Sequence, residues 1–159
     1  MLNEVLKIKR PSIVKNWTNR IFDTYASETS GFLSKNKNQF SNPVGFTITE
    51  NAGKIVDEII GERDLASIKI FLIDIIKIRA VQDFTASEAI GFIPRLKYVM
   101  RDELEDELPG EQLFNEYLDL CKLIDRITLI GFDIYTELRE RIYRIRVNEL
   151  KNRTTGVVQ

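Results

Sequence analysis

Residues 111 to 152 contain no proline, and apolar side chains recur along them at helical spacing. Phe114, Leu118, Cys121 and Ile124 mark the first half. Tyr135, Leu138, Ile142 and Ile145 follow in a 3-4-3 rhythm, the spacing of a coiled-coil seam. At 1.5 Å per residue the run makes a helix roughly 60 Å long, longer than a compact domain of 159 residues is wide. The sequence therefore predicts an all-α chain whose last helix outruns its own core. The end of that helix, 136–152, is expected to project or to pair with a second copy, with Tyr135, Leu138, Ile142 and Ile145 as the dimer seam. The tail 153–159, "RTTGVVQ", is expected to fray.

The rest of the chain supports a single helical domain over 1–159. Pro11 suits a first-turn position, and Val14, Trp17, Ile21 and Tyr25 recur after it as a helix. Trp17 is expected in the core. The polar stretch between about 26 and 41 reads as an irregular corner, with Phe32, Leu33 and Phe40 pinned inward. In "SNPVGFTI", 41–48, Asn42 is an N-cap and Pro43 a first helical residue. Gly45 inside the first turn carries a helix penalty of about 1 kcal/mol, so a close backbone approach is expected there. Ile48, Ala52, Ile55, Val56 and Ile59 continue the stripe to Gly61, a C-terminal cap. "DLASIKIFLIDIIKIRAV" is too long for a strand despite its isoleucines, and its wide apolar arc predicts a central, mostly buried helix. "TASE" follows as a capping box, with Thr85 and Glu88 reciprocally bonded. The helix it opens runs through Phe92, Leu96 and Leu104, with a kink expected at Pro94.

Chemistry is narrowed mainly by what is missing. There is no histidine and one cysteine, which excludes histidine-ligated haem, His-based triads and an intrachain disulfide. Cys121 lies on an apolar stripe and reads as a structural thiol. Net charge is −1, without the basic bias of a nucleic-acid binder. The acidic run "RDELEDEL" matches no calcium loop, so no metal and no cofactor is expected. Arg139, Arg141, Arg144 and Arg146 read as solvated flanks of the helical seam. No apolar run approaches the roughly 20 residues of a membrane span, and no signal peptide is visible. A cytoplasmic chain without membrane insertion is expected.

The stretch "RAVQDFTASEAIGF", 79–92, is the candidate site. On a helix Arg79 and Asp83 both point into the apolar arc, so a buried i,i+4 ion pair is expected. Arg79, Gln82 and Asp83 are thus candidates for signal relay or binding, against the simpler reading of an ion pair that fixes a corner.

"SNPVGFTI", "IIKIRAVQDFTASEAIGF" and Leu96-Lys97 together resemble the RsbRD N-terminal domain, the sensor domain of RsbT co-antagonist proteins in the stressosome. The resemblance spans most of residues 10 to 150 and rests on Asn42, Pro43, Gly45, Ser87, Glu88, Gly91 and Phe92. It implies a non-haem, globin-like fold, a homodimer, and a long last helix leading to an output domain. It implies a regulatory role in stress signalling, not an enzyme, with an unknown protein partner and a small-molecule signal as options. The chain departs from the family in two ways. Its residues end after the long helix, without the phosphorylatable STAS domain, so stressosome assembly and kinase control are not expected to carry over. It also has Pro94-Arg95 where an apolar pair is expected. The competing reading is a structural dimerisation subunit of a larger complex, which the resemblance links to sulfur-respiratory machinery.

Overall fold

The computed structural model describes residues 1–25, 27–36 and 38–157, without the side chains of residues 27, 28 and 157. Every regular element among them is an α-helix: α1 Leu2–Phe22, α2 Ser27–Lys35, α3 Pro43–Ile60, α4 Leu65–Val81, α5 Ala86–Ile90, α6 Phe92–Glu103 and α7 Glu111–Val157. The all-α expectation with a long last helix is met. The five longer helices close a ring around one core, α1 on α3, α3 on α4, α4 on α7, α7 on α6, and α6 back on α1. The short α2 and α5 are corner pieces.

Several local expectations are corrected. Helix α1 begins at Leu2, not at Pro11, which sits inside it. Burial of Leu2 and Leu6 beside Ile13 and Trp17 outweighs the one backbone bond that Pro11 cannot donate. The corner after α1 contains a nine-residue helix, and of its three apolar residues only Leu33 is buried. Phe32 and Phe40 stand in solvent. Ala26 and Lys37 of that stretch lie outside the described residues. Helix α4 is less enclosed than its composition suggests. Ile70 and Val81 share an exposed stripe with Ala66, Asp74 and Lys77, while Ile68, Leu72, Ile75, Ile76 and Arg79 are buried.

Pro94 breaks the next helix more completely than a kink. The chain stops at Ile90 and restarts at Phe92, which leaves Pro94 in the first turn of α6, where its missing donor is harmless. The break at Gly91 is tight, because a Cβ there would sit 2.6 Å from the Ser87 carbonyl oxygen. Helix α7 runs on through 153–157, the segment expected to fray; Val158 and Gln159 lie outside the described residues. Its 47 residues span roughly 70 Å at 1.5 Å per residue. From Tyr143 onward every described side chain is exposed. Close approach near its middle is secured by Gly131, where a Cβ would overlap Ile93 Cδ1 and touch Ile76 Cδ1 at 3.5 Å.

Candidate functional site

The corner between α4 and α5 holds Arg79, Gln82 and Asp83, and the structure sends the three side chains to different places. Arg79 is fully buried, yet it makes no ion pair with any carboxylate among the described residues. The expected Arg79–Asp83 pair is therefore absent. The reason lies in the backbone: helix α4 ends at Val81, and Asp83 takes the left-handed conformation with φ of 60°. The i,i+4 geometry that would have joined the two never forms. Asp83 points outward and reaches Arg139 at 3.6 Å and Arg146 at 4.0 Å on α7.

Arg79 instead satisfies carbonyls that the helix break orphans. The last carbonyls of a helix lack intrahelical donors, and α5 ends because Pro94 has no N–H for Ile90. Arg79 Nε donates to the Ala89 carbonyl at 2.9 Å and Nη2 to the Glu88 carbonyl at 2.7 Å. Nη2 also donates to Thr24 Oγ1 at 3.1 Å, and Nη1 to Tyr25 Oη at 3.5 Å. The guanidinium lies over the Phe84 ring at 4.5 Å, with Tyr25 and Phe92 at 5.6 and 5.7 Å. Neutral oxygens and ring faces thus replace a counter-ion. Burial pulls the Arg79 pKa below its ordinary value, and it stays a cation at any working pH.

Gln82 accepts from Tyr25 Oη at 2.9 Å, so the end of α1 is tied to both Arg79 and Gln82. On its other side the corner is clamped by α7. Arg139 Nη1 donates to the Ala80 carbonyl at 2.9 Å, and Tyr135 Oη donates to the Phe84 carbonyl. Arg139 was expected as a solvated flank, but its side chain is only 16% exposed. Sequence spacing places it beside the stripe and cannot show that a carbonyl waits there. Thr85 and Glu88 form the expected capping box, with Thr85 N donating to Glu88 Oε2 at 2.8 Å and Glu88 N to Thr85 Oγ1 at 3.3 Å. The bond from Thr85 N holds the Glu88 carboxyl below the usual carboxylate range. Ser87 is exposed beside Thr85. Phe92 is buried, and its carbonyl accepts from Trp17 Nε1 at 2.8 Å. Two openings flank this corner: a crevice of about 110 Å³ between Thr24, Ser87 and Arg95, and a more open groove of about 470 Å³ between Asp83, Thr85, Phe132 and Tyr143 on the α7 side.

The other motif lies elsewhere. Asn42 is buried and caps α3, accepting from Gly45 N at 3.0 Å. Its amide donates to the Leu33 and Asn36 carbonyls at 3.0 and 2.6 Å, which ties α2 to α3. Pro43 opens the helix, as expected. Gly45 is needed because a Cβ would strike the Asn42 side chain and stand 2.6 Å from the Leu33 oxygen. Beside this joint α1, α2 and α3 enclose a cleft of about 560 Å³, with Val14, Phe22, Leu33 and Gly45 among its walls. No sequence signal singled it out, because its residues come from three separate segments.

Of the four expected seam residues, Tyr135 is buried in its own core and Leu138 and Ile142 are half-buried against it. Ile145 is exposed. On the opposite side of α7 a second stripe carries exposed Phe114, Leu118, Leu129, Phe132, Tyr143, Val147 and Leu150. At 100° per residue these seven fall within about 60° of one another. Cys121 is half-buried.

An all-helical ring with a buried-arginine joint and a projecting last helix defines a class of domain in which one helix carries the core and also leaves it. The chain belongs to the family of the RsbT co-antagonist protein RsbRD N-terminal domain, whose model matches residues 11–150. That is a family of regulatory domains of the stressosome-sensor type. No curated protein and no solved structure matches the chain. No helix among the described residues is long and apolar enough to cross a membrane.

Proposed function

We propose that the protein is a non-enzymatic, cytoplasmic sensor or adaptor that acts as a homodimer and relays a signal through the 79–92 corner into α7. The observation that carries the relay is the double grip on that corner. From inside, Arg79 ties it to the end of α1 and to α5; from outside, Arg139 and Tyr135 of α7 bond the Ala80 and Phe84 carbonyls. A shift of α1 against α5 is thereby coupled to the helix that projects. Asp83, held in a left-handed conformation that costs a non-glycine residue about 1 kcal/mol or more, adds a charged tether to Arg139 and Arg146. The dimer face in this reading is the outer stripe of α7 from Phe114 to Leu150, since the inner stripe is occupied along most of its length by the protomer's own core. The globin-like, non-haem arrangement implied by the family resemblance is the frame for this relay. An open cleft at α1 favours sensing over the purely structural subunit, which would need only the packed ring and the stripe.

The test joins mass and distance. Light scattering is expected to give a dimer, and Phe132→Glu a monomer with unchanged helix content. Spin labels at position 150 are expected to report a shifted or broadened distance distribution in the Arg139→Ala dimer. A monomeric wild type, or an Arg139→Ala dimer with an unaltered distribution, refutes the relay.

A further inference from the structure

The cleft between α1, α2 and α3 has the size of a small-molecule site, about 560 Å³, within the roughly 300–1,000 Å³ usual for such pockets. Its walls are apolar at Pro11, Val14, Phe22 and Leu33, with Phe46 at the rim. The polar groups around it divide into spent and unspent. Arg10 is committed to Asp57, which it grips through Nε and, at 2.9 Å, through Nη2. Thr18 Oγ1 is turned back onto the Val14 carbonyl at 2.8 Å. Lys15, Asn19 and Thr49 make no side-chain hydrogen bond or ion pair among the described residues, and all three face the cleft. No carboxylate among the described residues lines it. An apolar trough with, among the described residues, a single uncommitted ammonium at its edge is complementary to a monoanion carried on an apolar body.

We infer that this cleft binds an apolar monocarboxylate of medium chain length, its carboxylate on Lys15 with Asn19 and Thr49 as further donors, and its chain along Val14, Phe22 and Leu33. A phosphate dianion would call for a second free cation, and among the described lining residues the other cation, Arg10, is committed to Asp57. The family motif then has a clear task. Asn42 locks the end of α2 onto α3, and Gly45 lets the two come close enough to wall the cleft. The ligand's effect would travel along α1, because Phe22 lines the cleft and Thr24 and Tyr25 bond Arg79. That last link rests on the sensor reading; the binding itself does not.

Decanoate, kept below its micelle concentration, is titrated into the full chain and followed residue by residue by NMR. Saturable shifts at Val14, Phe22, Leu33 and Phe46 are expected, with decylammonium binding at least tenfold more weakly. Lys15→Glu, at an exposed position, is expected to keep the helical spectrum, to weaken decanoate at least tenfold and to reverse the preference for charge. Thr49→Trp at the rim is expected to block both ligands. Equal binding of the two amphiphiles, shifts confined to the outer stripe of α7, no shifts at all, or a Lys15→Glu variant with unchanged affinity would each overturn the assignment. None of these readings depends on α7, so a failed relay and a failed ligand site are told apart.

Discussion

The 79–92 corner and the α1–α2–α3 cleft share helix α1 as a wall and differ in every other respect. At the corner a charge is buried and its donors are spent on orphaned carbonyls and hydroxyls; a crevice of about 110 Å³ lies beside Thr24 and Arg95, and an open groove of about 470 Å³ lies against α7. At the cleft the charge is exposed, and three side chains lack partners among the described residues. The corner looks like a site in the sequence because arginine, glutamine and aspartate interrupt an isoleucine run. It is a joint. The cleft looks like nothing in the sequence, and it is where polar groups remain free to meet a ligand. Buried charge reports how a fold closes its accounts with its own backbone; unspent polar groups around open apolar surface report where it can receive something.

The sharpest way to break this comparison is to cut the two ends of the expected ion pair separately. Arg79→Ala would orphan the Glu88 and Ala89 carbonyls and open a cavity, a loss of about 4 kcal/mol in urea unfolding. Asp83→Ala, removing an exposed ion pair, is expected to cost under about 1 kcal/mol. Equal losses would restore the ion pair and undo the account of Arg79 as a cap for α5. Next in size come the two close-approach glycines. Gly45→Ala forces the new methyl onto the Leu33 backbone oxygen and the Asn42 cap, and a loss of about 2 kcal/mol is expected. Gly131→Ala meets the flexible tips of Ile93 and Ile76 and gains helix propensity, so its cost is expected to stay within about 1 kcal/mol. A reversed order would mean that α7, and not the α2–α3 joint, is the rigid contact.

The smallest effect concerns pH. The folded pKa of Glu88 lies below its ordinary 4.5. Its contribution is therefore full above that value and is lost as pH falls through the folded pKa. Glu88→Gln is expected to lower the urea midpoint at pH 7 and to lose less of it than the wild type on going to pH 3. An identical acid slope in both proteins would show that the capping box does not hold α5 in place.

Much of the fold is legible in the residues, because caps and periodicity are local. Asn42-Pro43, Gly61 and Thr85–Glu88 each do what their types and spacing predict. The proline-free run predicts α7, whose helix continues five residues further. The misreadings have separate causes. The place of Pro11 inside α1 follows from burial of Leu2 and Leu6 at the start of that helix, Phe32 and Phe40 find no core surface to cover, and the Arg79–Asp83 pair is lost because α4 ends two residues before Asp83. The seam is a further case: its rhythm is real, but rhythm does not say whose core it faces.

The sequence by itself determined an all-helical chain, the capped starts of α3 and α5, the absence of histidine chemistry and a last helix too long for its core. Backbone hydrogen bonding within a turn and 3.6-residue periodicity suffice for these, since both act between near neighbours. Only the tertiary structure decided that Arg79 caps a broken helix, that Arg139 grips the corner, which stripe of α7 is left outside, and that three distant segments leave a cleft. Those outcomes depend on which carbonyls a helix break orphans and which surfaces meet, and neither quantity is a property of any one segment.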